Sequence, residues 1–302
     1  MKSYGELRDA GTAILRDAVG SAADDPRWEA TRLLEVVTGL SRGELVRRRD
    51  QVVELEAIAD YLRLLEERRR GVPLQLLAGH VDFHEITVRV EPGVFIPRPE
   101  TELLVELARA DVASRLAVEA DREIRILDLC TGTGAIALAL AAAFRAEPRV
   151  RVAAGEWSPQ AVRIARRNAE DLGLAVDVRR SDLFSAFADL EGAIDVLVSN
   201  PPYIAPGEAL PVEVQHDPPA ALYDPDGGTG FHRRIARRGR DFLRPGGMIV
   251  LEIGETQDEE AARILNEEQY REVGRERDLT GRPRFVRGIA REGGVVPSMR
   301  SS

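Results

Sequence analysis

From Ile124 to Ile253 the chain alternates short apolar runs with amphipathic stretches, and this alternation restricts the possible folds more than any other feature. Ile124 to Leu129, Val150 to Ala154, Val176 to Arg179, Ile194 to Ser199 and Met248 to Ile253 read as strands. Helices are expected at about Glu100 to Arg115, Ala135 to Phe144, Pro159 to Leu172 and His232 to Phe242. Strands apolar on both faces and separated by helices belong to a mostly parallel sheet covered on both sides. The expected fold class is therefore α/β. Arg284 to Ile289 reads as a late strand, antiparallel at the end of the sheet, and Pro297 to Ser302 as a frayed tail.

The first 75 residues show no convincing strand. Leu7, Ile14, Leu15 and Val19 recur at helical spacing, as do Leu33, Leu34, Val37 and Leu40, then Ile58, Leu62, Leu64 and Leu65. Asp24-Asp25-Pro26 places acidic residues at a helix start, Gly39 and Gly43 bracket a break, and Gly71-Val72-Pro73 ends the last helix. A bundle of four or five helices follows. Gly79 to Val90 alternates and is rich in β-formers, Pro92-Gly93 supplies a turn, and Val94 to Ile96 continues, so a β-hairpin is expected. The predicted organisation is a helical bundle at 1–75, a hairpin linker at 76–97 and an α/β domain at 98–302.

Bulk properties narrow the partners. A net charge of −9 argues against a protein held to nucleic acid mainly through phosphates. Lys2 is the only lysine, which reads more simply as codon bias than as an arginine surface. No apolar run approaches the ~20 residues of a membrane span, and Met1 to Glu6 lacks a signal-peptide core. With Cys130 as the single cysteine there is no internal disulfide, which fits a reducing cytoplasm. The four histidines lack ligand spacing, so no metal is expected.

Chemistry gathers at the strand ends. Asp128-Leu129-Cys130-Thr131-Gly132-Thr133-Gly134 closes the first strand of the sheet and opens a helix. Its glycines permit a tight turn and a close ligand, and the helix start offers free N–H groups. The Gly-x-Gly-x-x-Ala pattern alone also fits a dinucleotide enzyme, or a turn with no ligand. Glu156 ends the next strand, about 20 residues on, where an acidic group meets ribose hydroxyls in nucleotide-binding folds; a solvated surface glutamate is the alternative. Trp157 can cover an adenine face or simply pack. Asp182 can accept from an adenine amine while Leu183 closes on the ring, with a helix cap as the alternative role for Asp182.

Asn200-Pro201-Pro202-Tyr203 follows the strand Ile194 to Ser199. A residue before proline is pushed into an extended conformation, and neither proline carries an N–H. The Asn200 side-chain oxygen and a proline carbonyl can then accept both protons of one planar NH2 group, with Tyr203 against its face. Such a clamp suits an amide or aryl amine, which is a poor nucleophile.

These stretches together resemble the PrmC/HemK family, the S-adenosylmethionine-dependent protein-(glutamine-N5) methyltransferases of class I peptide chain release factors. The resemblance runs from about Gly71 to Ile289. It includes Phe95-Ile96-Pro97-Arg98-Pro99-Glu100-Thr101-Glu102, Asp128 to Leu140, Glu156-Trp157-Ser158-Pro159, Ser181-Asp182-Leu183-Phe184, Asn200 to Ile204, Phe242 to Gly247 and Leu251-Glu252-Ile253-Gly254. It implies a class I methyltransferase fold, Rossmann-like, behind a helical domain, in a monomeric cytoplasmic enzyme that yields S-adenosylhomocysteine. It also implies that residues 130–134, with Asp128, hold the methionine part of the cofactor and that Glu156 takes the ribose. Asp182 and Leu183 then border the adenine beside Trp157, and Asn200 to Tyr203 hold the glutamine amide. The Phe95 to Thr101 segment, with Phe95 and Arg98, forms a wall of the same pocket in that resemblance, Arg98 having an ion-pair role as its alternative. The chain departs from the family in reading His216-Asp217-Pro218-Pro219 and Asp226-Gly227-Gly228-Thr229-Gly230-Phe231 in the loop expected to flank the target peptide.

The rivals are an adenine-N6 methyltransferase of DNA or RNA, which shares the clamp but wants a basic recognition region, a paralogue acting on another protein, a nicotinamide oxidoreductase and a non-catalytic release-factor scaffold. In the favoured reading transfer is direct, Asn200, Pro201 and Tyr203 act on the amide, and Cys130 is a small residue of the loop and not a nucleophile.

Overall fold

The computed structural model describes residues 2–16, 25–119 and 121–291. Val19, Asp24 and the tail Pro297 to Ser302 lie outside them. Two compact units are present. One holds the described residues of Met1–Val81 with Val90–Pro92 and Ala209–Asp217; the other holds those of Asp82–Arg89, Gly93–Glu208 and Pro218–Ser302.

The first unit contains α1 (Tyr4–Arg16), α2 (Pro26–Thr38), α3 (Arg42–Arg47), α4 (Leu55–Arg69) and α5 (Leu74–Ala78). The Asp25 side chain accepts from the N–H groups of Arg27 and Trp28, so α2 starts where its acidic cap and Pro26 dictate. Ser41 and Glu44 form a reciprocal capping box on α3. Leu7, Leu15, Leu33, Leu34, Tyr61 and Leu65 share one buried cluster. Leu62, expected on that face, is 45% exposed. Arg68 is buried inside this unit. It donates to Glu29 through Nε at 2.6 Å and Nη2 at 3.1 Å, and through Nη1 to the Val72 carbonyl at 3.3 Å. Its Nη2 also lies 2.5 Å from Glu213 Oε1, an ion pair without hydrogen-bond alignment.

A two-stranded sheet follows, β1 (His80–Phe83) and β2 (Ile86–Arg89). The hairpin turns at His84-Glu85, with His84 at φ +53°, and not at Pro92-Gly93; Val94 to Ile96 is not a strand.

The second unit continues with α6 (Glu102–Val118), β3 (Ile124–Leu129), α7 (Ala135–Ala143), β4 (Val150–Glu156), α8 (Pro159–Leu172), β5 (Val176–Arg180) and β6 (Ile194–Ser199). It ends with α9 (Pro219–Leu222), α10 (Gly230–Phe242), β7 (Leu243–Glu252), α11 (Asp258–Glu267), β8 (Arg271–Arg277) and β9 (Pro283–Ile289). The seven strands run β5-β4-β3-β6-β7-β9-β8, with β9 antiparallel to both neighbours. The late strand is antiparallel as expected, but it lies between β7 and β8 and not at the end of the sheet. β8 was not anticipated, because Arg271–Arg277 is a largely exposed, charge-rich edge with no apolar run. No described helix is long and apolar enough to cross a membrane.

Every residue of β6 is buried, which is why it reads as a continuous apolar run. Buried inside it, Asp195 accepts from Arg122 Nη1 at 2.7 Å and the Arg125 N–H at 2.8 Å, so its charge is matched. The chain order reverses between β3 and β6: from β3 the sheet grows outward through β4 and β5, from β6 through β7. A reversal of this kind opens a ligand crevice at the carboxyl ends of the two strands.

Candidate active site

Strand register brings the chemical residues into one row. Leu129 pairs with Gly155 on one side and Ser199 on the other, Glu156 pairs with Arg180, and Ser199 pairs with Leu251. The residues one step beyond, Cys130, Glu156, Asn200 and Glu252, therefore line the carboxyl edge, with Asp182 just after β5.

The turn after β3 is held in an unusual backbone. Cys130 sits at φ +58°, a left-handed conformation that costs a non-glycine residue about 1–3 kcal/mol and is kept only where surroundings enforce it. Gly134 is at φ +86° and starts α7, and a Cβ there would meet Ala165 at 3.2 Å. The Thr131 hydroxyl donates to Asp128 Oδ2 at 2.5 Å. Burial pushes the Asp128 carboxyl up to about 7, although the Thr131 hydroxyl and the Ala137 N–H both oppose the rise. Asn168 of α8 braces the turn: its Nδ2 donates to the Thr133 carbonyl at 2.9 Å. Phe95 stands beside the turn: a Cβ built on Gly132 would lie 4.0 Å from the Phe95 Cβ, in ordinary contact.

The Glu156 carboxylate accepts from the Gly132 N–H at 2.9 Å and the Ser158 N–H at 2.8 Å. It ties the turns after β3 and β4 together, so it is not a free surface glutamate. Burial raises its pKa and these backbone bonds oppose the rise. Trp157 is 62% exposed and faces Arg180, with the guanidinium carbon 5.9 Å from the ring centroid; it is not packed inside. No helix follows Asp182, so the cap alternative falls away. Ser181 Oγ donates to the Leu183 carbonyl at 2.6 Å and accepts from the Ala186 N–H at 3.0 Å, which holds Leu183 at φ +47°. The Cys130 thiol is pushed well above its ordinary value, by burial first and Glu156 second, and stays protonated.

Asn200 leaves β6 beside Glu252. Its Nδ2 donates to Thr101 Oγ1 at 3.3 Å, and that hydroxyl donates to Glu252 Oε2 at 2.7 Å. The Tyr203 hydroxyl lies 3.5 Å from Glu252 Oε1. Burial pushes the Glu252 carboxyl up to about 7. Tyr203 is raised by burial and then by Glu252, so it remains a neutral phenol. The Tyr203 carbonyl accepts from Gln257 Nε2 at 2.8 Å, which also reaches the Gly228 carbonyl at 3.2 Å. Gly228, at φ +97°, permits this approach, since a Cβ would meet the Tyr203 oxygen at 2.9 Å. The Arg98 guanidinium carbon lies 5.3 Å from the Phe95 ring centroid.

Asn168, Glu252 and Gln257 are site residues to which sequence reasoning assigns no role; it reads Thr101 only as the end of the pocket wall and Gly228 only as part of the loop flanking the target. Thr101 and Glu252 fall within the motif-like runs quoted above, which was the available signal. Asn168 and Gln257 are polar residues whose partners lie far along the chain, so nothing local marked them. A cavity of about 590 Å³ opens at the other end of the strands, lined by Glu123, Arg125, Arg151, Asp177 and Asp189. Its lining charges are all paired, Arg125 and Arg151 with Glu123, and Asp177 and Asp189 with the neighbouring Arg179.

A mostly parallel sheet with this strand order, a glycine turn at the reversal and an acidic residue ending the next strand define a class I methyltransferase. The hMettl16 catalytic domain in complex with MAT2A 3′UTR hairpin 6 matches this fold, with a TM-score of 0.53 and 14% identity, covering 71% of this chain and 79% of that one. Family models for the methyltransferase small domain and the PrmC N-terminal domain match residues 85–217 and 6–79. The chain is 42% identical to the release factor glutamine methyltransferase of Mycolicibacterium smegmatis, covering 93% of this chain and 96% of the relative. It is 40% identical to that of Streptomyces coelicolor, covering 86% and 90%. The chain belongs to the release factor glutamine methyltransferase family.

Proposed function

We propose that this chain methylates the side-chain amide nitrogen, N5, of the glutamine in the Gly-Gly-Gln loop of class I peptide chain release factors. The observation that carries the reading is the juxtaposition of Asn200 with the Cys130 to Gly134 turn across paired strands β3 and β6. It sets an acceptor for an NH2 group next to a cofactor edge. When bound, S-adenosylmethionine supplies an electrophilic methyl on a sulfonium. The edge suits it: Asp128 lies fully buried beneath the turn, α7 opens at Gly134 with no side-chain cap, and the Gly132 and Ser158 N–H groups hold the Glu156 carboxylate at the end of β4.

In this reading Cys130, Thr131, Gly132, Thr133 and Gly134 hold the methionine part, with Asp128 beneath. Glu156 accepts from ribose hydroxyls, while Asp182, Leu183 and Trp157 border the adenine. The Asn200 side-chain oxygen and the Pro201 carbonyl accept the two amide protons, Pro202 keeps the segment extended, and Tyr203 lies against the amide plane. Phe95 and Arg98 wall the pocket. Removing density from the N–H bonds leaves more of it on nitrogen and stabilises the positive charge that develops there. Alignment of nitrogen with the methyl removes much of the entropic barrier. A backbone carbonyl or water takes the proton late. The test is labelled-methyl transfer to a class I release factor. Incorporation that vanishes when the loop glutamine is replaced supports the reading, and label appearing on adenine in DNA or RNA instead contradicts it.

Cofactor binding is expected to depend on pH. The Asp128 carboxyl, raised to about 7 by burial, is partly protonated in the free site, and Glu156 is the other charge that raises it. A cationic ligand favours the carboxylate, so binding releases a proton below the raised value. Affinity for S-adenosylmethionine should rise roughly tenfold from about pH 6 to pH 8 and then flatten. Calorimetry across that range checks it; a flat profile rules out Asp128 as the linked group.

A further inference from the structure

We propose that Glu252 and Thr101 are positioning residues that fix which way the Asn200 side-chain amide faces. The proposal rests on the reading that Asn200 accepts from the target amide. An asparagine amide has two flips of similar shape, and only its hydrogen-bond partners distinguish them. Here three separate stretches of sequence converge: Thr101 just before α6, Asn200 after β6, and Glu252 at the end of β7. Thr101 has a single hydroxyl proton, and Glu252 Oε2 takes it at 2.7 Å. While Glu252 is ionised, the hydroxyl offers only lone pairs toward Asn200. The atom facing it at 3.3 Å must be the donor Nδ2. Oδ1 is therefore turned away from Thr101 and left to accept.

The opposite flip would point an NH2 group at an NH2 group and lose the clamp. Glu252 enforces the choice because it is buried and takes the Thr101 proton. Its second oxygen faces the Tyr203 hydroxyl at 3.5 Å, so both ends of the Asn200-Pro201-Pro202-Tyr203 segment refer to one carboxyl. Without that acceptor the Thr101 proton is free to swing to Asn200 Oδ1 and stabilise the wrong flip.

Three variants separate this role from packing. Thr101→Val leaves a buried NH2 unmatched at the correct flip and should lower kcat roughly tenfold, with KM for the release factor and affinity for S-adenosylmethionine little changed. Thr101→Ser, which keeps the hydroxyl, should stay within about threefold of the parent on the same grounds. Glu252→Met, similar in volume and without an acceptor, should cost at least as much as Thr101→Val. Adding Thr101→Val to Glu252→Met should then cost nothing further, because the misdirecting proton has gone. Additive losses, or Thr101→Ser failing as badly as Thr101→Val, overturn the proposal. An arm that needs no substrate is the side-chain amide resonance of Asn200, assigned by its loss in Asn200→Ala. It should shift in Thr101→Val and Glu252→Met and return in Thr101→Ser. An unmoved resonance overturns the relay even where methyl transfer proceeds. A wild-type chain that transfers no methyl to a release factor, while the resonance moves as expected, overturns the functional reading and leaves the relay standing.

Discussion

Replacing Asn200 by alanine is expected to lower the rate of methyl transfer by about 10²–10³-fold while leaving affinity for S-adenosylmethionine within a few-fold. The asparagine leaves β6 beside the cofactor turn, and its Nδ2 is turned to Thr101, which leaves Oδ1 as the acceptor facing the target. An acceptor that grips the amide protons more tightly as charge develops on nitrogen acts on the transition state more than on the ground state. The loss should therefore fall on kcat and kcat/KM together and not on KM alone. The cofactor-side contacts, made by the Asp128 to Gly134 turn and Glu156, do not pass through this side chain. Single-turnover kinetics with a release factor, set beside calorimetry with the cofactor, checks both halves. A variant with unchanged turnover would remove the clamp from the mechanism.

The largest expected stability change lies in the helical unit, at Arg68. Its guanidinium is 2% exposed and makes a two-pronged contact with Glu29, itself 8% exposed. Arg68→Ala would strand that carboxylate in the interior and also release Glu213 and the Val72 carbonyl. Breaking a buried pair from one side costs about 3–5 kcal/mol, because an uncompensated charge remains. Removing both charges together, as in Arg68→Met with Glu29→Leu, should recover most of the loss. Trp28 lies on α2 with Glu29, so its fluorescence in a Trp157→Phe background follows this unit during urea unfolding. A shift in the transition worth under about 1 kcal/mol would place Arg68 with ordinary surface pairs.

The sheet was legible because its inner strands β3, β6 and β7 are buried on both faces and its turns carry glycine and proline. β6, apolar along nearly its whole length and followed by two prolines, could hardly be read otherwise. β8 was illegible for the opposite reason, being an edge strand that buries almost nothing. The hairpin turn was misplaced because Pro92-Gly93 has turn residues and His84-Glu85 has none, yet His84 takes the left-handed conformation. In the site, the residues that would face ligands were visible as motifs. Those that orient them carried no local sign of that role, even where, as with Thr101 and Glu252, they fall within a motif-like run. Asn168 holds the Thr133 carbonyl, Gln257 holds the Tyr203 carbonyl, and Glu252 meets Thr101 across 151 residues of sequence. Their role depends on strand register, which a local pattern does not contain.

The most direct test of the central claim is tandem mass spectrometry of a class I release factor incubated with this protein and S-adenosylmethionine. The account predicts one added methyl group, located on the side-chain nitrogen of the glutamine in the Gly-Gly-Gln loop, and accumulating about 10²–10³-fold more slowly with the Asn200→Ala protein. An unmodified glutamine with the wild-type protein, or a methyl group placed on any other residue, would contradict it.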